Sequence, residues 1–180
     1  MHRKLTGNIA GTSLTTLENL EARLTALEDR EALQKLKARY AQLCDEKYVG
    51  GALRPQHELD GVARRIADLF TADAVWDGGP RFGTSCGAEQ IYERFCQATF
   101  SYAMHFFVLP DIIVDGDTAG ARWYLLEAAT LRDGTAIWIG GFEDDEYVRQ
   151  GGTWRISRMK VDLEFMTPYD QGWARKNLIV

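Results

Sequence analysis

Two residues in this sequence are suited to acid–base chemistry, His105 and Asp45. His105 lies in the apolar stretch Met104–Val108, and Asp45 stands where a helical pattern ends. Histidine is the side chain whose unperturbed pKa lets it gain and lose a proton near neutral pH. A carboxylate beside it would orient the ring and stabilise its charged form. The other two histidines, His2 and His57, lie in segments that we expect to be a tail and a loop.

The composition is that of a single globular domain. The chain has 180 residues, of which 46% are hydrophobic, and this is enough to build one core. Its formal net charge of -5 argues against nucleic acid and anionic membranes as partners, because both select basic surfaces. No apolar run is long enough to span a bilayer, and the basic start lacks the apolar segment of a secretory signal. Three cysteines without CxxC spacing favour a reduced, cytoplasmic protein.

The residue spacing does not favour a metal or an organic cofactor. The cysteines and histidines are too scattered for a zinc site, and the glycine pairs lack the strand-to-helix context of a phosphate-binding loop. The acidic run Glu143–Glu146 lacks the ligand pattern of a Mg²⁺ or Ca²⁺ site, and we interpret it as the solvated end of a strand. The sequence therefore predicts chemistry that its own side chains carry out.

The first part of the chain has helical periodicity. Residues 1–13 are polar and predict a flexible tail, and residues 14–180 predict one domain that begins with a helical extension over residues 14–30. We expect Asp29 to cap a second helix behind this extension. An apolar stripe at heptad-like spacing in the extension predicts packing on the domain or on a neighbouring subunit. The stripe consists of Leu17, Leu20, Leu24 and Leu27.

The second part of the chain is rich in strands. Short polar turns with glycine separate runs of β-branched and aromatic residues, which is typical of consecutive antiparallel hairpins. Helices first and a strand meander afterwards predict an α+β domain in which the sheet wraps round the helices. The predicted strands cover Phe106–Val114, Ala119–Leu131, Ile137–Val148 and Trp154–Phe165.

Large aromatic residues in and near these strands are candidates for the wall of a substrate pocket. Strand alternation puts Trp123, Leu125 and Glu127 on one face and Tyr124 on the other, so only one set can face inward. We assign four aromatic residues as substrate-binding candidates, expecting a mixture of core and pocket wall. They are Trp76, Trp123, Trp138 and Phe142.

Several phrases of the sequence resemble the SnoaL-like branch of the nuclear-transport-factor-like superfamily. They are Leu27–Leu33, the pair Arg39–Tyr40, then Asp45, and the segment Ala67–Trp76. Together with the hairpin series, the resemblance covers roughly residues 17–166. It implies a cone-shaped, curved mixed or antiparallel sheet packed on the N-terminal helices around a deep pocket. It is weak evidence for the reaction, because one fold hosts many functions.

Other phrases are similar to the bile acid 7α-dehydratases. These phrases are Met104–His105, Pro110–Ile112 and Ala121–Leu125. Such dehydratases, scytalone dehydratase and hexachlorocyclohexane dehydrochlorinase share a plan without metal or organic cofactor. A pocket histidine removes a proton, a carboxylate holds the histidine, and other polar groups handle the leaving group.

The resemblance implies a role for four residues of this chain. His105 matches the base, and Asp45 matches the carboxylate that orients it. Tyr40 would hydrogen-bond the substrate carbonyl or the leaving oxygen, and Glu127 matches a further acidic residue. The sequence departs from the pattern on the last strand, where the dehydratases have an arginine and this chain offers Lys160 or Arg158.

We therefore expect a cofactor-independent dehydratase that acts on a small hydrophobic molecule, with a steroid or bile acid derivative as the predicted substrate. The alternatives are an isomerase, a polyketide cyclase or a dehydrohalogenase of the same fold, or a non-catalytic ligand-binding module. The resemblance implies a homotrimer, with a dimer as the second choice, since exposed sheet and the leucine stripe would leave apolar surface wet in a monomer.

Overall fold

The computed structural model describes the backbone of residues 9–177 and the side chains of residues 15–177. Within this range the chain forms four helices and eight strands. In chain order they are α1 (Ile9–Glu46), β1 (Tyr48–Val49), β2 (Ala52–Leu53), α2 (Gln56–Ala67), β3 (Phe70–Asp77), α3 (Gly79–Phe82), β4 (Thr84–Cys86), α4 (Ala88–Cys96), β5 (Tyr102–Asp115), β6 (Thr118–Thr130), β7 (Ala136–Gln150) and β8 (Thr153–Pro168).

A six-stranded mixed sheet has the order β4-β3-β8-β7-β6-β5. Strands β5 to β8 pair as consecutive antiparallel hairpins, and β3 runs parallel to β8. The main core lies between this sheet and one face each of α1, α2 and α4, with Leu33, Ile66 and Ile91 fully buried. The predicted α+β class and the meander of strands are confirmed. None of the helices within residues 9–177 is long and apolar enough to cross a membrane.

Helix α1 is continuous from Ile9, so residues 9–13 belong to the helix, while residues 1–8 lie outside the described part. The predicted break at Asp29 is wrong, because Asp29 lies inside α1 and is buried. Its Oδ1 accepts hydrogen bonds from Trp154 Nε1 at 3.1 Å and from Arg149 Nη2 at 2.7 Å. Asp29 therefore accepts hydrogen bonds from side chains of the hairpin β7–β8 instead of capping the start of a helix. The four leucines of the apolar stripe are more than half exposed.

The acidic run Glu143–Glu146 is not a solvated strand end as expected. Glu143 and Asp145 are buried on the inner face of β7, and both accept from the ammonium of Lys37 on α1. Asp145 also accepts a hydrogen bond from the hydroxyl of Tyr147 at 2.7 Å. Strand alternation turns every second carboxylate inward, and the helix provides the counter-charge.

The register between β7 and β8 shifts between Gly140 and Gly141, which pair with Phe165 and Leu163, so Glu164 is the extra residue on β8. A Cβ on Gly141 would lie 2.2 Å from the carbonyl oxygen of Asp162, and one on Gly140 would lie 2.4 Å from the Phe165 ring. Only glycine permits this close approach. Since a bulge bends the strand that carries it, we expect this one to bend β8.

Candidate active site

The curved sheet and the helices enclose a cavity of about 90 Å³. Its wall is mostly aromatic and aliphatic, with a few polar side chains that come from different elements. The apolar wall includes Tyr40, Trp76, Phe95, Leu125, Ile139 and Val161, and the polar groups are Lys47, Arg94, His105, Glu127 and Glu143. An apolar cavity with a few convergent polar groups is the usual form of a small-molecule site.

His105 and Asp45 are in direct contact in this site. His105 Nδ1 lies 2.7 Å from Asp45 Oδ1, and the same oxygen accepts a hydrogen bond from the His105 backbone N–H at 3.0 Å. Asp45 sits in the last turn of α1, and His105 lies near the start of β5. Because a carboxylate only accepts, Nδ1 carries a proton, and Nε2 is left as the basic nitrogen of the neutral ring.

The basic nitrogen of His105 faces a second carboxylate. Glu127 lies directly opposite His105 in the β5–β6 register, and its Oε1 is 3.6 Å from His105 Nε2. Glu127 is buried, and among the described residues its Oε1 accepts no hydrogen bond. A buried carboxylate oxygen without a partner is costly unless it is protonated or meets a ligand.

The pKa values of both groups of this pair are raised. Burial lowers the pKa of His105, but the carboxylates of Glu127 and Asp45 outweigh it, so the pKa is raised. Burial raises the pKa of Glu127, and the positive charges of His105 and Lys47 offset this only in part. One group can therefore take a proton while a neighbour within a few ångströms gives one up.

A SnoaL-like domain model matches residues 25–160, most of the chain. The chain belongs to the SnoaL-like family. Its fold is shared with NTF2-like proteins of cystatin-like fold.

Solved structures with this fold have different names and are distant in sequence. The chain is similar to a hexachlorocyclohexane dehydrochlorinase (LinA type 3) from Novosphingobium barchaimii, with 21% identity over 81% of this chain and 93% of that one, and a TM-score of 0.67. A candidate scytalone dehydratase from Novosphingobium aromaticivorans has 19% identity over 86% and 95%, with a TM-score of 0.65. A candidate aromatic ring hydroxylase from the same organism has 26% identity over 79% and 94%, with a TM-score of 0.67. The shared fold of this SnoaL-like chain does not determine its reaction, which depends on the residues of its own site.

Tyr40 lines the cavity and lies five residues before Asp45 on α1. Its hydroxyl accepts a hydrogen bond from Trp76 Nε1 at 3.4 Å, and its ring packs edge-on against Phe95. Burial raises the pKa of Tyr40 well above its ordinary value, so the hydroxyl stays protonated. In this SnoaL-like cavity the Tyr40 hydroxyl therefore keeps a proton that it can donate in a hydrogen bond.

The four aromatic candidates for the pocket wall lie in three different places. Trp76 lines the cavity. Trp123 is buried, but it faces a separate groove between α1 and β5. Trp138 and Phe142 lie on the outer face of the sheet, where Phe142 packs against Tyr124 with ring centroids 4.9 Å apart. The prediction that these two residues line the pocket was wrong. They are four residues apart on β7 and therefore lie on the same face of the strand, and this face points away from the helices.

The replacement for the last-strand arginine is also not where the sequence suggested. Arg158 lies 3.7 Å from Asp77 in an ion pair and Lys160 is exposed, and neither lines the cavity. The cations that do line it are Lys47 and Arg94. No spacing in the sequence distinguishes Lys47 from a surface lysine.

Glu143 is a further cavity residue that the sequence analysis did not single out. It lines the cavity beside Lys37, and burial raises its pKa to about 7. Strand alternation within the acidic run could have indicated that the Glu143 side chain faces inward. Within residues 15–177 no cluster of three or more histidine, cysteine or acidic residues is arranged to hold a metal ion.

Proposed function

We propose that this protein is a cofactor-free lyase that removes a proton and a neighbouring leaving group from a compact cyclic substrate. One observation carries the proposal. An imidazole held by a carboxylate at 2.7 Å turns its other nitrogen toward a buried acidic group inside an apolar cavity. This is the arrangement that a general base and a general acid need for elimination.

The reaction begins with the removal of a proton from carbon. His105 Nε2 takes the proton from a carbon next to a carbonyl or next to the carbon that bears the leaving group. The electron pair of the broken C–H bond forms the new double bond as the bond to the leaving group breaks. Asp45 stabilises the imidazolium that results, and the Tyr40 hydroxyl donates to the carbonyl or leaving oxygen.

When the leaving group is a hydroxyl, Glu127 supplies the proton that the departing oxygen takes up. Its raised pKa keeps a proton available, and transfer of that proton lets water depart instead of hydroxide. His105 can then return its proton to Glu127, since Nε2 and Oε1 are 3.6 Å apart. The site is thereby reset without a cofactor.

The cavity favours a smaller substrate than the steroid or bile acid derivative predicted from the sequence. Its volume of about 90 Å³ is well below the roughly 300–1,000 Å³ of sites that hold drug-sized ligands. A compact ring with one or two polar substituents suits it better, whereas a four-ring substrate requires the walls to separate.

We also propose that the protein forms a homo-oligomer, as a trimer or a dimer, in the cytoplasm. The outer face of the sheet exposes large apolar side chains, and the leucine stripe of α1 adds more. Phe106, Val108, Tyr124 and Leu126 are each at least 40% exposed. Burying such a surface against another copy removes it from water.

The test is an elimination assay on two compact substrate classes, cyclic β-hydroxyketones and chlorinated cyclohexanes. We expect one class to give the unsaturated product, with turnover lost in His105→Ala and retained in Lys35→Met, whose side chain is on the exposed face of α1. Product without dependence on His105 would contradict the proposal. Proton exchange or rearrangement without loss of a group would favour an isomerase or cyclase, and tight binding without turnover would favour a binding module.

A further inference from the structure

A second lysine of the site, Lys47, has a different environment from Lys37. Lys47 follows α1 directly, lines the cavity and has a relative exposure of only 7%. In the part of the chain that the structure describes, its ammonium makes no hydrogen bond or ion pair. The ammonium lies over the ring faces of Phe95, 5.3 Å from the ring centroid, and Tyr48, 5.9 Å from the ring centroid.

An unpaired ammonium on a mostly buried side chain destabilises the folded protein. Transfer of an ion into an apolar interior is unfavourable unless the charge is paired, and an aromatic face compensates only in part. The same chain solves this problem fully for Lys37, which meets both Glu143 and Asp145. Arg94, the other cation of the cavity, donates to Ser85 Oγ at 2.8 Å. Among these three cations, only the Lys47 ammonium makes no hydrogen bond or ion pair to a residue that the structure describes.

Lys47 is also close enough to the proton-transfer pair to act on the same substrate. Its charge lowers the pKa of both His105 and Glu127. The free Oε1 of Glu127 and the free ammonium of Lys47 line one cavity. A substrate oxygen between these two side chains can accept a hydrogen bond from the Lys47 ammonium. The same oxygen can share a proton with Glu127.

We propose that Lys47 forms an anion subsite in the cavity, binding the substrate atom on which negative charge develops as His105 removes the proton. When the C–H bond breaks, its electron pair moves through the substrate to an enolate oxygen or to the leaving atom, and a Lys47 N–H donates to that atom. The substrate is then a compact ring with an oxygen or halogen one to three atoms from the acidic C–H. This assignment of chemistry rests on the proposed function, whereas the anion subsite itself does not.

The subsite is tested without turnover by binding 4-nitrophenol, a compact ring whose hydroxyl ionises near neutral pH to a coloured oxyanion. We expect the wild-type protein to bind the ionised form roughly tenfold or more tightly than the neutral form, the scale of one charge-assisted hydrogen bond. The absorbance of the bound dye should titrate correspondingly lower in pH than that of the free dye. Lys47→Met should abolish this preference, and Lys35→Met should retain it.

Two further variants separate Lys47 from its neighbours. His105→Gln should keep most of the preference, because the imidazole is not the proposed anion binder. Lys47→Gln keeps a donor without charge and serves as a second variant if Lys47→Met unfolds, which circular dichroism detects. Failure of the wild type to bind the dye, or equal preference in wild type and in the folded Lys47 variants, would overturn the subsite.

The leaving group and the enolate are distinguished by a substrate series. If Lys47 binds the leaving atom, the loss of kcat in Lys47→Met should grow as the leaving group becomes more basic. If it binds an enolate oxygen, the loss should be the same across the series. No loss of kcat with any substrate that His105 turns over would refute the catalytic role of Lys47. A nitrophenolate preference that depends on Lys47, found without any elimination, would retain the subsite and remove the proposed function.

Discussion

Replacing Asp45 by asparagine changes the charge of the His105 partner while keeping its shape. The Asp45 Oδ1 atom accepts from the backbone N–H of His105 at 3.0 Å and contacts Nδ1 at 2.7 Å. An amide oxygen can still accept from the backbone, so the local fold should survive. What is lost is the negative charge that stabilises the imidazolium after proton abstraction.

The size of the effect follows from the contact. Two unit charges 2.7 Å apart attract by about 6 kcal/mol at an effective dielectric constant of about 20. Solvent screens this attraction, because the side chains of His105 and Asp45 are 17% and 30% exposed. A charge-assisted hydrogen bond contributes about 1.5–3 kcal/mol in proteins. Asp45→Asn should therefore lower kcat by roughly tenfold to 150-fold.

The pH dependence gives an independent readout of the same contact. Asp45 and Glu127 raise the pKa of His105, so the loss of the Asp45 charge lowers it. Since the base must be neutral to act, the acid limb of the kcat profile should move to lower pH in Asp45→Asn. Glu127 remains in place and limits the displacement.

The assay is the rate of product formation by wild type, Asp45→Asn and the control Asp73→Asn, which changes an exposed carboxylate on β3. The control should match the wild type in both rate and pH profile. An unchanged kcat with an unmoved acid limb in Asp45→Asn would refute the role of Asp45. A loss of rate with an unmoved limb would mean that Asp45 only positions the ring.

Three further predictions concern stability and assembly. First, the folded protein raises the pKa values of His105 and Glu143, the latter to about 7, so it binds more protons than the unfolded chain around neutrality. The stabilisation that these groups give at low pH is lost as the pH rises through their pKa values in the folded protein. Urea unfolding should therefore give a free energy of unfolding about 1 kcal/mol or more lower at about pH 8 than at about pH 5. An increase of the free energy of unfolding over this interval would contradict the prediction. Second, Lys37→Met leaves two buried carboxylates without their cation and should reduce the free energy of unfolding by about 3–5 kcal/mol, and a loss below about 1 kcal/mol in denaturant titrations would show that the pair is dispensable. Third, light scattering should report a homo-oligomer, and a monomeric wild-type protein would refute this prediction. Phe106→Glu should dissociate the oligomer if the outer face of the sheet is the interface, and Leu20→Gln should dissociate it if the leucine stripe of α1 is the interface.

The elements of the fold could be predicted from the sequence where a local pattern decides the outcome. The hairpins of β5 to β8 follow from turns with glycine between β-branched runs. Period-2 alternation correctly grouped Trp123, Leu125 and Glu127 on the buried face. Prediction failed where a distant residue decides the outcome. Asp29 was expected to end a helix, but Trp154, 125 positions along the chain, satisfies it inside α1.

The site could be predicted only in part for the same reason. The resemblance pointed to His105, Asp45, Tyr40 and Glu127. Three of them line the cavity, and Asp45 contacts His105 from beside it, although the roles of all four stay predictions. Lys47 carries no local signal, since its burial depends on how α4 and the sheet close over the end of α1.

The charges around His105 explain why this imidazole suits a base that must become positive. Asp45 lies in the last turn of α1, where the helix dipole disfavours a carboxylate, and it is held there by the ring and backbone of His105. The helix end and Asp45 are sources of negative potential, and Glu127 becomes a third once it has given up its proton, so all three stabilise the imidazolium. The substrate simultaneously gains negative charge, which these carboxylates would repel. In the proposed mechanism Lys47, whose ammonium has no partner among the described residues, offsets this repulsion, so the site stabilises both charges that elimination separates.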